Sequence, residues 1–101
     1  MARGVKTHRL DDLDIMDLRV VKALYEHKST FKAATHLGVT QPMITYRIQL
    51  VENYFQQPVY YRRTKGEFYT PFGLMLVQYA DAIIDLYTEM MLFGRNYKKE
   101  V

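Results

Sequence analysis

The stretch from Ala33 to Pro42 constrains this chain more than any other. Ala33 and Ala34 are small enough to let two helices cross closely, Gly38 suits a left-handed turn, and Thr40 with Pro42 close behind marks a fresh helix start. A short helix therefore begins near Ser29 or Thr30, either of which can serve as N-cap. It carries Ala33, Ala34 and Leu37 and ends at Gly38. The helix capped by Thr40 places Ile44, Ile48, Val51 and Phe55 at spacings of four, three and four, which is one continuous apolar face. Upstream, Asp14 caps a helix running from about Ile15 to His27, with Asp17 in its first turn and Leu18, Val21 and Leu24 or Tyr25 as its stripe.

A short helix joined to the next by so tight a turn matches the helix-turn-helix pattern, in which the second helix of the pair enters the DNA major groove by its N-terminal end; the other reading is a helical hairpin in some other three-helix domain. The outward face of the third helix fits groove entry. It holds Gln41, Pro42, Thr45, Tyr46, Arg47 and Gln49, and no acid occurs from Gln41 to Val51. Gln pairs with adenine N6 and N7, Pro42 and the Thr45 methyl meet thymine methyls, and Arg47 reaches guanine or phosphate. The free N–H groups around Thr40 are placed to hold a phosphate. After Pro58 the pattern turns extended. Val59, Tyr60 and Tyr61, then a turn containing Gly66, then Phe68 and Tyr69 read as a short hairpin. Arg62, Arg63 and Lys65 make it a basic wing suited to the backbone or the minor groove.

In this register the chain resembles the DNA-binding domain of LysR-type transcriptional regulators. The stretches that carry the resemblance are Ala33-Ala34, Leu37-Gly38-Val39-Thr40-Gln41-Pro42 with Ile44-Thr45, Ile48, Val51-Glu52, Val59-Tyr60 with Arg62, and Thr70-Pro71 with Gly73. The resemblance covers residues 15 to 93. It implies that Gln41, Pro42, Thr45 and the Tyr46-Arg47 pair face the major groove. It also implies that the helix after Thr70 pairs two such domains and that the DNA site is an interrupted inverted repeat. Four departures stand out. Tyr46 replaces a frequent Arg, Thr30-Phe31 reverses the usual order before the paired alanines, and Gln56 replaces the Gly that ends the third helix. A left-handed Gln56 costs roughly 1 kcal/mol. The fourth departure is length, since members continue into an effector-binding domain.

The last helix starts at Thr70-Pro71 and is expected to run to about Phe93, before Gly94. From Leu74 to Phe93 the polar residues Gln78, Asp81, Asp85, Thr88 and Glu89 form one stripe, and nearly everything else is apolar. A surface helix needs only about a 100° apolar face. The surplus predicts contact with a second copy through Leu76, Tyr79, Ala80, Ile83, Ile84, Tyr87, Met90 and Met91, the methionines suiting an adaptable interface.

The expected fold is mainly α: a winged helix-turn-helix of three helices and a two-stranded wing, followed by a long dimerisation helix. Its parts are a basic arm over residues 1–13, the winged domain over 14–70, the long helix over 71–93 and a tail over 94–101. Among 101 residues there is no cysteine, which excludes disulfides and thiol-based metal sites or catalysis. No apolar run reaches the ~18 residues of a membrane span, and the basic N-terminus lacks the apolar stretch of a secretory signal. His8, His27 and His36 lack metal-ligand spacing, the early aspartates do not fit a calcium loop, and no catalytic constellation stands out. The net charge of +3 matters less than its placement, with basic groups on arm and wing and acids along the last helix.

The reading is a cytoplasmic, non-enzymatic regulator of transcription. Its partners are double-stranded DNA and a second copy or higher oligomer, without cofactor, metal, membrane or small-molecule effector within this chain. The alternative is a protein-interaction module that heterodimerises with, or antagonises, a full-length regulator through the long apolar helix.

Overall fold

A computed structural model of the chain describes residues 13–62 and 68–98. Four helices follow one another: α1 (Ile15–His27), α2 (Thr30–Leu37), α3 (Gln41–Phe55) and α4 (Pro71–Asn96). The expected arm over 1–12, the wing tip over 63–67 with Arg63, Lys65 and Gly66, and the last residues 99–101 lie outside the described residues.

Each helix starts where a short polar side chain satisfies an orphan N–H. Asp14 accepts from Asp17 N–H, Ser29 from Lys32, Thr40 from Met43 and Thr70 from Gly73. At α1 the capping is reciprocal, because the Asp17 carboxylate accepts from Asp14 N–H at 2.8 Å. The first three helices end on left-handed residues, Lys28 (φ 60°), Gly38 (φ 72°) and Gln56 (φ 58°). Gly38 carries this without penalty, and the turn lets Val39 N–H reach back to Ala34 at 3.0 Å. Gln56 adopts the strained conformation expected of it. Lys28 was not foreseen; its Nζ donates to Tyr25 O at 2.8 Å and sits 3.9 Å above the Tyr25 ring.

The core is built around α1. Val20, Val21 and Leu24 meet Ala33 and Ala34 of α2, Ile44, Ile48 and Val51 of α3, and Val77 of α4, all buried. Each large aliphatic side chain so buried is worth ~1.5–3 kcal/mol relative to exposure. The two alanines permit the close crossing of α2 anticipated from their size.

The expected two-stranded wing is corrected. The described residues hold a single antiparallel bridge, Tyr60 with Tyr69. Tyr61 N–H donates to Phe68 O at 2.8 Å and Thr70 N–H to Val59 O at 3.0 Å. Pro58 has no N–H to give and the Thr70 hydroxyl caps α4, so among the described residues the pairing is confined to the few positions between them, Val59 to Tyr61 against Phe68 to Thr70. Two side chains fix this stem. Tyr69, 3% exposed, donates its hydroxyl to Val21 O at 2.6 Å. Glu52 accepts from Val59 N–H at 2.7 Å.

Helix α4 runs to Asn96, three residues past its expected end at Phe93. Gly94 is internal to it and meets no close neighbour. Gly73 has the opposite surroundings. A side chain there would overlap the Val59 carbonyl oxygen, so α4 leaves Thr70 pressed against the stem as only glycine allows.

Candidate nucleic-acid interface

Helix α3 is seated by its apolar face, with Ile44, Ile48 and Val51 fully buried. That phase leaves Gln41, Pro42, Thr45, Tyr46 and Gln49 exposed together, as the outward face required. Tyr46 is 55% exposed, its ring standing in solvent beside Thr45. Thr40 accepts from Met43 N–H through its hydroxyl, and the same hydroxyl can still donate outward. Gln41 donates its amide N–H to Thr30 Oγ1 at 2.7 Å, linking the first turns of α2 and α3.

Arg47, expected to reach guanine or phosphate, is half-buried and turns its guanidinium toward the start of α1. Its Nη1 donates to Asp14 Oδ1 and to Asp17 Oδ1, both at 3.0 Å. Asp17 is almost wholly buried, and a buried carboxylate needs a counter-charge. The guanidinium therefore serves the α1 cap. No local pattern in α3 reveals this, because the partners lie 30 and 33 residues upstream.

Arg62 is likewise engaged. Its Nη2 and Nη1 donate to the Glu52 carboxylate at 2.9 and 3.2 Å, and its guanidinium lies 4.4 Å over the Tyr60 ring. The hydrogen bond to Glu52 holds its pKa above the usual arginine value despite partial burial. Its side chain is half exposed, so the pairing dilutes its charge without hiding it.

The expected dimer face on α4 divides in two. Gly73, Val77 and Ala80 are buried, and Ile84 and Tyr87 continue the same stripe half-buried. This stripe lies against α1: Lys22 Nζ meets Asp81 at 2.6 Å, and the Arg19 guanidinium lies 5.9 Å from the Tyr87 ring centre. The Asp81 hydrogen bond raises the Lys22 pKa. Ala80, expected at a contact with a second copy, is corrected: it is wholly covered by its own chain. Leu76 packs partly on the core. Tyr79, Ile83, Met90 and Met91 are exposed as expected. Leu86 (67%) and Phe93 (68%) are exposed too, and the same apolar surplus in the sequence pointed to them.

Among the described residues no helix is long and apolar enough to cross a membrane, and no group of three or more His, Cys, Asp or Glu could hold a metal ion.

Three helices packed on a shared core, a tight α2–α3 turn at Gly38 and an exposed first half of α3 define a helix-turn-helix protein. The sequence profile described as bacterial regulatory helix-turn-helix protein, lysR family, matches residues 15–74. The chain belongs to that family. It is 34% identical over 89 residues to the uncharacterized HTH-type transcriptional regulator YraN of Bacillus subtilis, covering 88% of this chain and 31% of that protein. It is 32% identical over 72 residues to the HTH-type transcriptional regulator CzcR of the same organism, covering 71% of this chain and 25% of that one. The chain thus spans between a quarter and a third of these relatives. The crystal structure of the BenM_DBD/benA site 1 DNA complex superposes with a TM-score of 0.76 at 26% identity, covering 82% of this chain and 93% of that one.

Proposed function

We propose that this chain binds double-stranded DNA sequence-specifically and acts in transcriptional control. One observation carries the reading. The first half of α3 presents Gln41, Pro42, Thr45, Tyr46 and Gln49 to solvent with no carboxylate from Gln41 to Val51, on a helix held rigidly from behind. Donors, acceptors and apolar atoms in that arrangement match the base edges of a major groove. The BenM_DBD structure in complex with DNA, similar to most of this chain, supports the same use.

Two copies paired through α4 would place two such helices on one face of an interrupted inverted repeat. The apolar surface left on α4, including Tyr79, Ile83, Leu86, Met90 and Met91, supports the pairing. Arg62, Arg63 and Lys65 of the wing would contact the backbone.

A second reading is favoured by the same exposed helix: pairing of α4 with the corresponding helix of a full-length regulator, as an antagonist. Gel shifts with genomic fragments at two salt concentrations, beside light scattering, separate the two. Salt-dependent, sequence-selective shifts by a dimer support the first reading. A chain that shifts no duplex at either concentration overturns it.

A further inference from the structure

We propose that Thr30 is a specificity-determining residue, committing Gln41 to read adenine. The inference rests on α3 being the base-reading helix and deepens that reading. Thr30 opens α2 and Gln41 opens α3, and the Gln41 Nε2–H···Oγ1 bond of 2.7 Å between them spans the helix-turn-helix.

The chemistry follows from counting groups. A glutamine amide has two N–H donors and one carbonyl acceptor. Thr30 takes one donor. The outward edge keeps one N–H and the carbonyl oxygen, a donor beside an acceptor. Adenine offers N7 as acceptor and N6–H as donor, so the remaining edge fits it bidentately. Guanine offers two acceptors, N7 and O6, and this edge has no second donor to meet them.

An untethered glutamine can turn its amide to suit either base or spend it on water. The tether therefore trades adaptability for preference. It is exposed in the free protein, where water competes with it, and becomes shielded once a duplex covers α3.

The test starts from a duplex recovered by this chain from a random-sequence pool, with each base varied in turn. Wild type, Gln41→Ala, Thr30→Val and Thr30→Ser are titrated by anisotropy. Gln41→Ala should lower the adenine-over-guanine preference at one position about tenfold or more. Thr30→Val should lower the same preference roughly threefold to tenfold at that position alone. Its affinity for non-specific duplex and its circular dichroism should match wild type, and Thr30→Ser should restore the preference. A merely structural role for Thr30 would weaken all duplexes alike, and that outcome overturns the proposal. So does a Thr30→Val chain that discriminates as wild type while Gln41→Ala does not. If Gln41→Ala changes no base preference, the base-reading assignment itself fails. Should Thr30→Val not fold, Thr30→Ala gives the same comparison.

Discussion

A single guanidinium nitrogen, Arg47 Nη1, holds both Asp14 and Asp17 at 3.0 Å and so fastens the middle of α3 to the first turn of α1. Replacing Arg47 with Met leaves the buried Asp17 without a counter-charge. The pair is open to solvent on the Asp14 side, so we expect a loss of about 2 kcal/mol, below the full cost of breaking a buried pair. Adding Asp17→Asn should recover part of it, because Asn keeps an acceptor for Asp14 N–H and carries no charge. Urea denaturation of the single and double variants checks this; strictly additive losses would show that the two side chains do not interact.

The two glycines of α4 should respond oppositely to alanine. At Gly73 the new methyl meets the Val59 carbonyl, which already accepts from Thr70 N–H and cannot easily yield. A loss of about 3 kcal/mol is expected. At Gly94 nothing stands nearby, and alanine should add roughly 0.5–1 kcal/mol through helix propensity. Melting temperatures of the two variants should therefore lie on either side of wild type.

Tyr69 makes the fold alkali-sensitive. Burial pushes its hydroxyl well above the usual tyrosine range, so the folded chain keeps the proton while the unfolded chain releases it near pH ~10. The unfolded state then binds fewer protons, and stability falls as pH rises beyond that point; below it the contribution is fully present. Tyr69→Phe should lose about 1 kcal/mol at neutral pH with the Val21 hydrogen bond, and show a shallower alkaline decline. Denaturant midpoints from neutral to strongly alkaline pH measure both. Parallel curves for the two proteins would refute the assignment.

Glu52 restrains Arg62, so Glu52→Gln should release a cation at the Tyr60–Tyr69 stem. Gln can still accept from Val59 N–H, which keeps the stem in place. Non-specific DNA affinity at low salt should rise, and the slope of log affinity against log salt should steepen by about one. An unchanged slope would mean that Arg62 serves the fold alone.

The helices were legible because each start and stop is a local event. Asp14, Ser29, Thr40 and Thr70 cap within three residues of themselves, and Gly38 and Gln56 sit where a left-handed turn is needed. The phase of α3 was legible too, since Ile44, Ile48 and Val51 fix which side turns outward; Phe55, expected on the same face, is exposed beside the Phe72 ring. What stayed hidden depends on distant partners. Arg47 sits among the exposed residues of α3 and turns away because the carboxylates of Asp14 and Asp17 lie behind it. Ala80 looks like interface on a helix with apolar residues nearly all round, and only the packing of α1 shows which side is already covered. Lys28 adopts φ 60° without being Gly or Asn, and nothing in its neighbours announces that.

The buried stretch of α4 ends at Ala80, while the helix continues to Asn96. Ile84 and Tyr87 continue the seam half-buried against α1, so at 1.5 Å per residue about 14 Å of helix stands clear beyond Tyr87. A tilt of about 10° there moves the far end by about 2 Å, less than the 3.4 Å rise of one base pair. In the proposed pair of copies joined through those far ends, the snugness of Gly73 against Val59 would act as a ruler, holding the spacing of two half-sites to within about a base pair.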